Sequence, residues 1–132
     1  MKAETLGAID IGSNAIRLLI SNVDENESST DFKKAAFLRV PIRLGEDVFT
    51  KGLITDDKRQ QLGNVMTGFS YIMKAYGVTR YRACATSAMR DAANGLEIVE
   101  EIKLQCEIEI EIIDGLEEGQ IIYEAGGLDK VM

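Results

Sequence analysis

Ala8-Ile9-Asp10-Ile11-Gly12-Ser13-Asn14-Ala15-Ile16-Arg17-Leu18-Leu19-Ile20 sets two apolar runs on either side of a Gly12-Ser13-Asn14 turn. This pattern predicts two strands joined by a tight loop, a β-hairpin. Asp10 stands just before the turn. Turns of Gly, Ser and Asn can aim several backbone N–H groups into one concavity, which suits a phosphate. A carboxylate beside such a loop is placed to hold Mg²⁺, directly or through water. The same residues also fit an ordinary hairpin in which Asp10 and Asn14 only cap the turn. Spacing alone does not choose between the two.

Working outward, residues 5–11 and 15–23 read as the first two strands and residues 24–31 as a polar turn. Residues 32–44 read as a third strand with Pro41 inside it. Proline cannot donate to a ladder, so this strand is expected at an edge or bulged there. From 56 to 76 the apolar positions are Leu62, Val65, Met66, Phe69, Ile72, Met73 and Tyr76, one face of an α-helix. Thr55 is its expected N-cap, Asp56 and Asp57 suit its positive end, and Gly77 stops it. That stripe is core and carries no chemistry. Met66 and Met73 belong to it as packing residues.

Residues 78–85 read as a strand, and 87–105 as a helix that Gly95 weakens or kinks. The alternation of Glu107, Ile108, Glu109, Ile110, Glu111 and Ile112 predicts a strand over 107–113. A last helix is expected to begin near Glu117. An opening meander followed by alternating strands and helices implies a mixed α/β sheet covered by helices.

Composition narrows the function classes. The chain has 132 residues, enough for one domain with a real core. With 45% hydrophobic and 28% charged residues it has the make-up of a soluble globular protein. No apolar run approaches the ~20 residues of a membrane span, and no signal-peptide core follows Met1. A cytoplasmic location is expected, with no membrane partner. The formal net charge is −7, which argues against a DNA or RNA binder, since these need a cationic face. Any attraction for a polyanion must come from local Arg, Lys and backbone N–H groups. The chain has no histidine, so histidine ligands, histidine bases and Ser-His-Asp triads are excluded. Cys84 and Cys106 form no C-x-x-C pair, which speaks against a cysteine metal or redox site. Glu97, Glu100 and Glu101 read as a solvated helix face.

Two further stretches carry candidate chemistry. Ala85-Thr86-Ser87-Ala88-Met89-Arg90-Asp91 lies where a parallel strand hands over to a helix. Ligands of open α/β sheets bind beyond the carboxyl ends of strands, and helix N-termini attract anions. Thr86 and Ser87 either cap the helix or touch a phosphate. Arg90 either reaches the same anion with its planar fork or pairs with Asp91 or Asp114 on the surface. The second stretch, Ile112-Ile113-Asp114-Gly115-Leu116-Glu117-Glu118, is the next handover from strand to helix. Glutamates in a first helical turn are common for dipole reasons, yet one there can also activate a water. Adjacent helical residues point about 100° apart, so at most one of Glu117 and Glu118 faces a site.

In order and spacing, Ala8–Asn14 with Arg17, then Arg43-Leu44-Gly45-Glu46, then Ala85–Arg90, then Ile112–Glu118 resemble the exopolyphosphatase and guanosine pentaphosphate phosphohydrolase (Ppx/GppA) family. The resemblance implies a ribonuclease-H-like lobe of the actin, Hsp70 and sugar-kinase superfamily, with a mixed five-stranded sheet flanked by helices. The family's catalytic body has two such lobes around a cleft, and this chain resembles the first. The second lobe, with its Asp-x-Gly-Gly-Gly-Ser phosphate loop, is expected to be absent from these 132 residues, and the lobe alone to be inactive or nearly so.

By position, the resemblance makes Gly12, Ser13 and Asn14 the first phosphate loop and Asp10 a ligand or near-ligand of Mg²⁺. Arg17, Ser87 and Arg90 contact the phosphoryl chain, Arg90 neutralising charge on the cleaved group. Glu118 is the general base, a choice over Glu117 that rests on the motif alone. The implied reaction is release of a terminal phosphate from inorganic polyphosphate or guanosine pentaphosphate. The alternative is a non-catalytic module that binds phosphate or an alarmone. An ATP-dependent kinase of the same superfamily ranks last, because those carry a Gly-Thr loop where Gly12-Ser13-Asn14 stands. A half-built cleft exposes apolar surface, so pairing with a second copy is a further expectation. Two positions depart from the family's pattern. Gly119-Gln120 follows the glutamates where Ala-Arg or a similar pair is usual, and Asp47 replaces the last glycine of Arg-Leu-Gly-x-Gly.

Overall fold

The first two strands form because β-branched and aliphatic residues alternate with polar or small ones. β1 (Ala3–Ile11) and β2 (Ala15–Asp24) pair antiparallel with Ile9 opposite Leu18, Asp10 opposite Arg17 and Ile11 opposite Ile16. Ile9, Ile11, Ile16, Leu18 and Ile20 are buried, whereas Ala8 and Arg17 on the alternate positions are exposed. The hairpin therefore offers one apolar face to the core. The computed structural model describes residues 3–24 and 32–114. The expected polar turn and the expected last helix fall mostly or wholly outside them.

β3 (Phe32–Pro41) pairs antiparallel with β2 at the sheet edge, as the proline requires. The irregularity in that pairing lies at Ile20/Ser21 on β2, and Pro41 simply ends β3. The strand stops short of residue 44 because a helix begins there. That helix, α1 (Leu44–Lys51), was not foreseen in the sequence. α2 (Asp56–Ala75) follows, burying Leu62, Met66, Phe69 and Met73 with Val65 and Ile72 packed beside them. Tyr76, expected in the stripe, is the C-cap residue instead and is 48% exposed.

Gly77 ends α2 as expected, at φ 71°. Its N–H bonds to the Lys74 carbonyl and the Val78 N–H to the Met73 carbonyl, a Schellman closure. Thr55 stands at the N-cap, but its hydroxyl makes no capping bond and donates to Asp47 instead.

β4 (Arg80–Ala85) and β5 (Ile110–Ile112) add to β1 in parallel, giving the order β3-β2-β1-β4-β5. This mixed five-stranded sheet, two antiparallel pairs then two parallel ones, is the ribonuclease-H-like α/β arrangement. The helix expected over 87–105 is two helices, α3 (Ser87–Asp91) and α4 (Gly95–Cys106). The break falls at residues 92–94, and Gly95 opens the second helix. A Cβ at Gly95 would lie 2.1 Å from the Met89 carbonyl oxygen, so glycine lets α3 and α4 approach there. Asn94 seals the break by bonding the Ile54 backbone both ways, at 3.0 and 2.9 Å.

Residues of α2 and α4 close the core over the apolar face of the sheet. Arg59 ties the two helices on the surface, facing both Glu97 and Glu101. No helix among the described residues is long and apolar enough to cross a membrane.

Candidate phosphate site

The hairpin turn, the start of α1 and the start of α3 meet at the carboxyl edge of β1 and β4. Three backbone bonds join the turn to the start of α1. The Asn14 carbonyl accepts from the Ile42 and Arg43 N–H groups at 3.2 and 2.9 Å, and the Ser13 carbonyl from the Gly45 N–H at 2.8 Å. Gly45 is required by the fit, because a Cβ there would stand 3.0 Å from Ser13 Cβ and from the Phe49 ring. The Gly12 N–H closes the turn on the Ala15 carbonyl at 3.1 Å. The Ser13 and Asn14 N–H groups meet no acceptor among the described residues, so two donors remain for a ligand.

Ser13 and Ser87, 74 positions apart, bring their hydroxyl oxygens to 2.8 Å. The parallel pairing of β1 with β4 produces this contact, extended by the bond from the Thr86 N–H to the Ile11 carbonyl. Thr86 is the N-cap residue of α3 without a side-chain capping bond, and Ser87 is the first residue inside the helix. Ser87 therefore does not cap. Two stretches singled out separately in the sequence share one hydrogen bond.

Asp10 and Arg17 face each other across β1 and β2, with Oδ2 and Nη2 at 2.6 Å and both side chains about half exposed. They lie on the sheet face opposite the core, beside Cys84, Arg82 and Glu111. Arg82 and Glu111 pair at 2.7 Å on the same face. Cys84 is buried, and burial pushes its thiol up, which keeps it from being a ready nucleophile. Among the described residues no three carboxylate or cysteine side chains gather to cage a metal. Asp10 is the carboxylate of β1 that precedes the loop, and Glu46 lies on the loop's other flank.

Arg90, one turn into α3, donates from Nη1 to the Ile113 carbonyl at 2.6 Å. This bond carries its guanidinium to the end of β5, where the Ile112–Glu118 stretch begins. Glu117 and Glu118 lie outside the described residues.

The Arg43-Leu44-Gly45-Glu46 stretch lies beside the turn. Ser13, Asn14, Arg43, Gly45, Glu46 and Phe49 line an open depression of about 460 Å³. Sequence reasoning assigned nothing to Arg43. The available signal was its place in Arg43-Leu44-Gly45-Glu46, the second of the four stretches that carry the family resemblance. Asp47, the departure from the family's glycine, is buried. Its Oδ2 accepts the Thr55 N–H at 3.0 Å and the Thr55 hydroxyl, and its Oδ1 lies 3.1 Å from Lys58 Nζ. Burial pushes the Asp47 carboxyl up, but the Thr55 bonds and Lys58 outweigh it and hold it below the ordinary carboxylate value.

Known proteins resemble this chain in sequence and in fold. The chain is 27% identical to exopolyphosphatase 1 of Mycobacterium tuberculosis over 120 residues, covering 91% of this chain and 34% of that protein. It is 25% identical to the guanosine-5'-triphosphate,3'-diphosphate pyrophosphatase of Photobacterium profundum over 128 residues, covering 93% of this chain and 25% of that one. The crystal structure of the Aquifex aeolicus Ppx/GppA family member superposes with a TM-score of 0.86 at 26% identity, over 94% of this chain and 39% of that one. The chain thus spans about a third of the length of the relatives it matches. The sequence model of the Ppx/GppA phosphatase family covers residues 20–126, well over half of the chain, and the chain belongs to that family.

Proposed function

We propose that this chain is the first lobe of a phosphoanhydride hydrolase that removes a terminal phosphate from inorganic polyphosphate or guanosine pentaphosphate. The observation that carries the reading is the 2.8 Å contact of Ser13 with Ser87, which unites two phosphate-type loops at one sheet edge. Relatives named for both substrates support the substrate class.

Each residue has a chemical task in this reading. The Ser13 and Asn14 N–H groups and the two serine hydroxyls hold equatorial phosphate oxygens, with Gly12 leaving room for the close approach. Arg17 and Arg90 neutralise the phosphoryl chain, and Arg90 acts on the group being cleaved. Glu118 orients the attacking water and takes its proton, leaving inorganic phosphate and a shortened chain. One carboxylate is the contribution that Mg²⁺ sites on phosphate ligands commonly ask of the protein, and Asp10 supplies it here. Bound there, Mg²⁺ would add charge neutralisation on the phosphate oxygens. Arg17, now on Asp10, would then share its hydrogen bonds with the ligand. A second lobe supplies the other wall of the cleft.

Two measurements test this. Titrating inorganic triphosphate into the chain by calorimetry should give saturable binding, weakened roughly tenfold in Ser13→Ala and in Ser87→Ala. With the second lobe present, Glu118→Gln should lower phosphate release by about 10²–10⁴-fold. Undiminished release would remove Glu118 from its role. Saturable binding with no turnover, even with both lobes, would favour the non-catalytic module instead.

A further inference from the structure

Arg43 is held in a backbone conformation that side chains rarely adopt, at φ 61° and ψ 49°. Its N–H is bonded to the Asn14 carbonyl at 2.9 Å. Its own carbonyl accepts from Lys58 Nζ at 2.7 Å and from the Glu46 N–H at 3.2 Å. The point from which its side chain leaves the backbone is therefore fixed to the phosphate loop itself. The side chain is 65% exposed, and its Nη1 stands 3.8 Å from Glu46 Oε1, too far for a hydrogen bond. Glu46 also leans on Lys58 at 3.3 Å, and Lys58 is shared with Asp47. Lys58 is thus engaged by two carboxylates, while Arg43 is engaged loosely by one.

The depression that Arg43 lines is walled by Ser13 and Asn14 on one side and by Gly45, Glu46, Phe49 and Thr50 of α1 on the other. Its volume of about 460 Å³ is within the range of small-molecule pockets. A single phosphate on the serine pair would leave most of it unfilled. We propose that Arg43 is a binding residue for the second and later phosphates of a phosphoanhydride chain whose end sits on the Ser13–Ser87 pair, so that this wall reads chain length. The inference rests on the phosphate-site reading above. A linear polyanion places a charge at each unit, and a guanidinium takes two of a unit's oxygens at once. Glu46 then acts as a placeholder that the ligand displaces from Arg43.

Calorimetric titration of inorganic triphosphate and of orthophosphate into the 132-residue chain tests it. Arg43→Ala should weaken triphosphate binding by about tenfold or more and orthophosphate binding by less than about twofold. Arg43→Gly keeps the left-handed backbone without strain, so it should fold at least as well and bind like Arg43→Ala. Arg43→Lys, with its charge but no fork, should fall between. Glu46→Gln should tighten triphosphate severalfold. Unchanged triphosphate binding in Arg43→Gly, with binding lost in Ser13→Ala, would overturn the role of Arg43 and leave the phosphate site standing. Equal losses for triphosphate and orthophosphate would also overturn it, since chain length would not be read. If the unaltered chain bound neither anion, the site and the inference would fall together.

Discussion

At the scale of single residues, Asp47 shows how a departure from a family's pattern can be structural. A buried carboxylate at the start of α1 is costly unless it is paired, and here it has the Thr55 N–H, the Thr55 hydroxyl and Lys58. Asp47→Asn should cost about 2 kcal/mol at neutral pH, the range for hydrogen bonds to a charged group, read from urea unfolding. The pH dependence has a definite sign. The folded carboxyl lies below its unfolded value near 3.9, so its stabilisation is complete above that value. It is lost as pH falls through the lower, folded value. Below about pH 4 the native chain should therefore lose stability more steeply than Asp47→Asn, and the two curves should converge. Parallel curves would mean that Asp47 is not held ionised by these partners.

At the scale of elements, two glycines in helices predict opposite outcomes. Gly68 lies inside α2 with nothing within 4 Å of an added Cβ, so Gly68→Ala should stabilise by about 0.5–1 kcal/mol. Gly95 opens α4 against the Met89 carbonyl, so Gly95→Ala forces a backbone shift and should cost about 2–3 kcal/mol. Thermal melts of the two variants should move in opposite directions. The same contrast marks what the sequence disclosed. α2 was legible because seven apolar residues recur at helical spacing and local signals end it. α1 was not, because tertiary bonds to Ser13 and Asn14 start it, and neither a cap nor a periodic stripe announces it. The α3–α4 break was hidden for a related reason. Asn94 bonds Ile54 and the Ala93 N–H bonds the Gly52 carbonyl, partners some 40 residues away. The candidate site followed suit. Its loops were visible as motifs, whereas the meeting of Ser13 with Ser87 and the wall formed by Arg43 depend on strand order.

At the scale of the whole molecule, the described part of the site is one-sided. Every described phosphate-type residue comes from one edge of one sheet, and the chain spans about a third of its relatives. Binding an anion needs only donors and local positive charge, the task proposed above for Ser13, Asn14, Arg43 and Ser87 in a chain of net charge −7. Hydrolysis needs more, because the leaving and attacking oxygens must be held from both sides at once. Losing even one preorganised donor typically costs about 10²–10³-fold in rate, and a displaced base costs about 10²–10⁴-fold. With Mg²⁺ and triphosphate, the 132-residue chain should therefore release phosphate at least about a hundredfold more slowly than a two-lobed protein of the family. A phosphate-release assay over a range of chain concentrations checks this. A rate per chain that matched the longer protein and did not depend on concentration would mean that one lobe suffices. A rate per chain that rose with concentration would mean that a second copy supplies a facing wall.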